Sequence, residues 1–129
     1  MKRVILLVLA VVMMLSGCAL ANSSTSASYK QITQEEAKEM MKKDDGHIII
    51  DVRRQDEYDE GHIPGAVLIP NESITDKQPE ELPKLDQIIL VYCRSGRRSK
   101  EASQKLSDIG YTNVYEFGGI NTWTGEIVK

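Results

Sequence analysis

Two short apolar runs limit the choice of fold more than any other feature of the chain. "HIIIDV" (residues 47–52) and "QIILVY" (residues 87–92) are rich in β-branched residues, each holds at least three consecutive apolar residues, and turn-forming residues bound them. A half-exposed strand alternates apolar and polar residues. A strand without that alternation is buried on both faces, the habit of a parallel sheet covered by helices. Weaker runs at residues 29–32, 67–69 and 114–117 supply further strands.

Helical patterns fall between these runs. Thr33 and Glu36 have the spacing of a capping box, Ala37, Met40 and Met41 share the face that follows, and Asp44-Asp45-Gly46 ends the helix. A second helix is expected to begin near Arg98 or Ser99. Ala102, Leu106 and Ile109 lie along one of its faces, and Gly110 stands where a left-handed residue closes a helix. Residues 70–83 are polar and proline-containing, a surface connection with room for one short helix. Strands alternating with amphipathic helices predict an α/β fold with a mainly parallel central sheet flanked by helices on both faces.

Residues 1–17 stand outside that alternation. Lys2 and Arg3 precede an unbroken apolar run over residues 4–15, and Leu15-Ser16-Gly17-Cys18 closes it, the order of an export signal. A run of that length rises only about 18 Å as a helix, short of a membrane span. Leu-Ser-Gly-Cys resembles the bacterial lipobox, which implies cleavage before Cys18 and lipid attached to Cys18. The mature protein is then expected in the bacterial cell envelope, extracytoplasmic and lipid-anchored to a membrane. Residues 18–28 are small, polar and uncharged, a flexible tether, and residues 29–129 are expected to form one domain with a modest core. Loss of Lys2 and Arg3 takes the net charge from −3 to −5, which argues against general nucleic-acid binding.

A secreted chain with two cysteines ordinarily reads as one disulfide. Lipid on Cys18 forbids that bridge and leaves Cys93 as a free thiol. Cys93 follows the strand at residues 87–92 and precedes a helix, at the edge of the sheet where α/β proteins bind ligands. Arg94, Ser95, Gly96, Arg97 and Arg98 have to curl tightly there, turning backbone N–H groups toward the sulfur. Such amides, with the positive end of a helix dipole, favour an anion and hence a reactive thiolate. Arg94, Arg97, Arg98 and Lys100 add positive charge, which draws a small anionic substrate.

Three segments carry a family resemblance: "DVRRQDEYDEGHIPGAVLIP" (residues 51–70), "VYCRSGRRS" (residues 91–99) and "GGINTW" (residues 118–123). They resemble, in order and spacing, the signature segments of a rhodanese-like domain, and the match extends over residues 29–129. The resemblance implies the rhodanese-like fold and a transferase of the thiosulfate sulfurtransferase type. A cysteine of such a domain takes a sulfane sulfur from an anionic donor, becomes a persulfide and passes the sulfur to a thiol or cyanide acceptor, with no metal or organic cofactor. Cys93 carries over as the nucleophile, and the amides of Arg94, Ser95, Gly96, Arg97, Arg98 and Ser99 as the cradle for the persulfide. Arg94 and Arg98 are expected to hold the oxyanion, with Arg97 as rim charge. Asp51 and Arg53 are expected to form a supporting ion pair, and His62 to order its loop rather than serve as a base. Gly118 and Gly119 are expected to permit a tight turn, and Trp123 to pack on the sheet or near the loop.

Three other functions compete. A phosphatase or arsenate reductase of related fold also uses a Cys and an Arg on one loop, but only Arg94 to Arg97 separate Cys93 from Arg98, one residue fewer than in the phosphatase cradle. The smaller ring suits a sulfur atom better than a phosphate. A non-catalytic anion- or sulfur-binding module of the same fold commonly lacks the cysteine that is present here. A thiol redox protein lacks its resolving cysteine, which leaves only a sulfenic acid sensor. His47 and His62 with one free cysteine make no persuasive metal site.

Overall fold

A computed structural model describes residues 28–129. The export signal, Cys18 and nearly all of the tether lie outside the described residues. In chain order the elements are β1 (Lys30–Gln31), α1 (Gln34–Met41), β2 (Ile48–Asp51), α2 (Gln55–Glu60), β3 (Val67–Leu68), β4 (Ile89–Cys93), α3 (Arg97–Ile109) and β5 (Val114–Gly119). Single 3-10 turns occupy Asn71–Ser73 and Ile120–Thr122. The five strands form one sheet in the order β1-β5-β4-β2-β3, and every neighbouring pair is parallel.

The two strongest apolar runs lie side by side near the middle, as β2 and β4, with Ile50 beside Val91 and Asp51 beside Tyr92. Because side chains alternate along a strand, the runs feed two cores. Ile50, Val52, Val91 and Cys93 pack with Val114 and with Ala102 and Leu106 of α3. Ile49, Leu90 and Tyr92 point the other way, to Phe117, Ala37 of α1 and Ile63. This parity aims the Cys93 thiol at the α3 side.

Helix α1 starts as expected: Thr33 Oγ1 accepts from the Glu36 N–H at 3.0 Å, and the Glu36 carboxylate accepts from the Thr33 N–H at 2.9 Å. Helix α3 contains Ser99, Ser103 and Ser107 on its buried face. Serine costs about 0.5 kcal/mol relative to alanine in a helix, whereas complete burial of Leu106 contributes about 2 kcal/mol, so packing wins over propensity. The small serines let the helix lie close to β4 and β5. Helix α2 answers to no periodicity in the sequence. Strand β4 runs through Cys93 and α3 begins at Arg97, so three residues connect them rather than the five or six expected.

Candidate active site

Strand β4 delivers Cys93 to the carboxyl edge of the sheet, where the chain reverses through Arg94, Ser95 and Gly96. Gly96 has φ 116°, a left-handed value that costs an ordinary residue about 1 kcal/mol or more. The turn aims the Gly96 N–H at Cys93 Sγ, at 3.0 Å, and makes Gly96 the N-cap of the 13-residue α3. The sulfur therefore sits against a backbone donor and the positive end of a helix. Cys93 is only 1 % exposed, and Ser99 Oγ lies 3.5 Å from Sγ on its inner side.

The glycine pair of "GGINTW" holds this turn from below. At Gly119 the requirement is space: a Cβ there would overlap the Arg94 carbonyl carbon and oxygen, while its φ of −135° is ordinary extended backbone. The Asn121 N–H then donates to the Arg94 carbonyl at 3.1 Å. Gly118 takes φ 95°, which makes the turn of the pair. Trp123 packs against Phe117, ring centroids 5.6 Å apart.

The arginines of the loop divide. Arg94 is exposed, with no ion-pair partner for its guanidinium among the described residues. Arg97 is exposed and pairs with Glu101 at 3.0 Å. Arg98 is half-buried, and its Nη1 and Nη2 donate to the two oxygens of Glu57 at 2.8 and 3.1 Å. That guanidinium is the main reason the Glu57 carboxyl is held well below its usual range, at about 2. Ser95, Arg97 and Arg98 share an open cavity of about 500 Å³ with Arg54, Asn71 and Glu72; its wall carries three guanidinium groups, of which Arg54 pairs with Asp56 at 3.0 Å. Arg54, Asn71 and Glu72 are the residues of that wall that sequence reasoning passed over; the one signal for Arg54 was a second arginine directly after Arg53.

Asp51 and Arg53 form a buried pair beside the site. Arg53 Nε donates to Asp51 Oδ1 at 2.9 Å, and Nη2 donates to Oδ2 and to the Gly61 carbonyl, both at 2.7 Å. Tyr92 adds a third donor to Asp51 Oδ2 at 2.7 Å and accepts the Ile63 N–H at 3.0 Å. Burial pushes the Tyr92 phenol up, so it remains a donor. His62 stacks on Tyr58 with ring centroids 3.7 Å apart, and its Nδ1 lies 2.9 Å from the Tyr58 carbonyl. Its backbone bridges Val128. The ring thus orders the loop after α2 and makes no hydrogen bond to Cys93.

Sequence reasoning missed Glu57 and Glu116. Glu116 is 2 % exposed, and its Oε2 accepts from Ser99 Oγ and, at 3.0 Å, from the Gly118 N–H. Its only signal was a charge inside an otherwise apolar strand. The assembled site offers one sulfur nucleophile, a backbone donor, a helix terminus and an arginine-rich loop, the parts needed for nucleophilic attack on a small anion.

The family model described as "Rhodanese-like domain" matches residues 33–126. A Coxiella burnetii relative, thiosulfate sulfurtransferase GlpE, is 39% identical over 99 residues, covering 74% of this chain and 87% of the relative. A Bacillus subtilis relative, YrkF, is 35% identical over 106 residues that span 81% of this chain but 56% of YrkF. Among solved structures, "rhodanese with anions from E. coli" superimposes with a TM-score of 0.60 and 34% identity, over 64% of this chain and 98% of that one.

Proposed function

The chain belongs to the rhodanese-like domain family, and from that premise we propose that Cys93 carries sulfur between an anionic donor of the thiosulfate type and a thiol or cyanide acceptor. Sγ attacks the sulfane sulfur of the donor, a new S–S bond forms, and the S–S bond of thiosulfate breaks with its electron pair leaving on sulfite. The acceptor then attacks the outer sulfur of the Cys93 persulfide, and the electron pair of that bond returns to Sγ.

The observation that carries this reading is the Gly96 N–H set 3.0 Å from Cys93 Sγ at the start of α3. A donor and a helix dipole placed there stabilise an anionic sulfur without any movement of the protein. Arg54, Arg97 and Arg98 line the cavity beside the loop and, with the exposed Arg94, attract a doubly charged donor. The engagement of both Arg98 Nη atoms by Glu57 takes that fork from the oxyanion of thiosulfate as well as from phosphate, so the preference for sulfur rests on the four residues between Cys93 and Arg98. The thiosulfate donor is supported by the name of the Coxiella relative.

The proposal extends to the start of the chain. Signal cleavage before Cys18 and lipid on Cys18 hold the domain at a membrane outside the cytoplasm, supported by the Leu15-Ser16-Gly17-Cys18 sequence. Labelled fatty acid should enter the wild-type chain in a bacterial host and not Cys18→Ser; equal labelling of both rejects the anchor.

Sulfur transfer itself is tested by thiocyanate formation from thiosulfate and cyanide, beside a p-nitrophenyl phosphate assay. Thiocyanate is expected from the wild type and not from Cys93→Ser, with no phosphate release. Undiminished transfer by Cys93→Ser, or none by the wild type with thiosulfate, polysulfide or a mercaptopyruvate-type donor, rejects the reading.

A further inference from the structure

A thiol that attacks thiosulfate must first lose a proton, and Cys93 is 1 % exposed, so the nearest internal acceptor decides where that proton goes. Ser99 Oγ, 3.5 Å from Sγ, is placed to accept the S–H. The Ser99 hydroxyl has three acceptors in reach, Oε2 of Glu116 and the Gly96 and Gly118 carbonyls at 2.9 and 3.4 Å, and the Glu116 oxygen is the nearest of them. Cys93, Ser99 and Glu116 thus form a continuous hydrogen-bonded chain behind the sulfur.

Glu116 is an expensive residue to bury. No Lys, Arg or His pairs with it among the described residues. Its register partners are the neutral Gln31 of β1 and Val91 of β4. Helix α3 offers it Ser99, with the buried Ser103 one turn on; Arg98, on that helix, is committed to Glu57. The end of β5 offers the Gly118 N–H. Two hydrogen bonds do not offset the burial of an unpaired carboxylate. An anionic Cys93 sulfur at the other end of so short a chain makes a second buried negative charge there costlier still.

We propose that Glu116 is the internal proton store for Cys93, reached through Ser99. The Cys93 S–H proton passes to Ser99 Oγ as the Ser99 O–H proton passes to Glu116 Oε2, leaving a thiolate and a neutral carboxyl. The site keeps its total charge, and the carboxyl stays neutral while the anionic persulfide stands in front of it. When the acceptor removes the outer sulfur, the electron pair returns to Sγ and the proton returns from Glu116 by the same route. No oxidant or reductant takes part. Glu116 acts through Ser99 and touches neither donor nor acceptor.

The proposal rests on the sulfur-transfer reading for its place in a cycle, but it can be read on the thiol alone. In the full chain, iodoacetamide labelling of Cys93 is followed on its own peptide from pH 6 to pH 10, so that Cys18 does not contribute. Glu116→Gln keeps an oxygen for Ser99 and Gly118 but takes no proton. Labelling of this variant at pH 7 should fall by about 10²-fold, the low end of general-base effects, and approach the wild-type rate at pH 10, where bulk base removes the proton. Ser99→Ala, which leaves all charges in place, should show the same profile, and the double variant should lose no more than either single one. A Glu116→Gln rate equal to or above wild type across the range overturns the proposal, because a structural or simply repulsive carboxylate behaves that way. Wild-type failure to form thiocyanate alongside the expected labelling profile rejects sulfur transfer and leaves the proton store standing.

Discussion

Glu57→Gln separates the frame of the cysteine loop from its chemistry. The Glu57 carboxylate accepts both Arg98 Nη groups, at 2.8 and 3.1 Å, and the Arg54 N–H at 3.1 Å, tying α2 to the first turn of α3. Held at about 2 instead of the ordinary 4.5, chiefly by Arg98, the carboxyl is more acidic folded than unfolded. Its contribution is therefore complete above the unfolded value and disappears as the pH falls toward the folded one. At about 1.4 kcal/mol per decade, the ceiling is about 3 kcal/mol, and contact of Arg98 with water, 19% exposed, brings it down to about 1–2 kcal/mol. Glutamine still accepts the Arg54 N–H, so the change isolates the charge. In urea unfolding the variant should be less stable by about 1–2 kcal/mol at pH 7, with the gap falling to about half near pH 3. A gap of the same size at both pH values, or none at pH 7, refutes the reasoning.

Two further changes probe the other supports. Gly119→Ala puts a Cβ onto the Arg94 carbonyl. It should cost about 1–3 kcal/mol in stability and depress kcat by displacing the Gly96 amide; a fully active, undiminished variant in the same unfolding and thiocyanate assays contradicts that role. Arg54→Ala removes one cation of the cavity beside the loop and should raise KM for thiosulfate more than it lowers kcat, with the difference shrinking in high salt. Unchanged KM at low ionic strength shows that Arg54 does not meet the donor.

The residues differ in how openly the sequence displays them. Strands β2 and β4 are visible because burial on both faces leaves an unbroken apolar run, and α1 because Thr33 and Glu36 cap it within a single turn. Helix α2 is hidden: "QDEYDE" holds a single apolar side chain, Tyr58, and its start is marked only by the Glu57 bond to the Arg54 N–H. The start of α3 was expected one or two residues late, because Gly96 enters the helix from a left-handed conformation and the residues that follow carry no apolar period. The position of Cys93 could be read from the strand end and the glycine, but the partners of its loop could not. Arg98 meets Glu57 across 41 positions and Ser99 meets Glu116 across 17, separations that no local pattern reveals. The ring of amides is also smaller around Sγ itself than expected, since of the loop amides only the Gly96 N–H donates to it among the described residues.

The central claim is that sulfur rests on Cys93 between donor and acceptor, and the intact mass of the protein after brief exposure to thiosulfate tests it most directly. The wild-type chain should gain the mass of one sulfur atom, lose it on adding cyanide, and gain nothing when Cys93 is replaced by Ser. A chain that gains no sulfur from thiosulfate, or a Cys93→Ser variant that gains it all the same, contradicts the account.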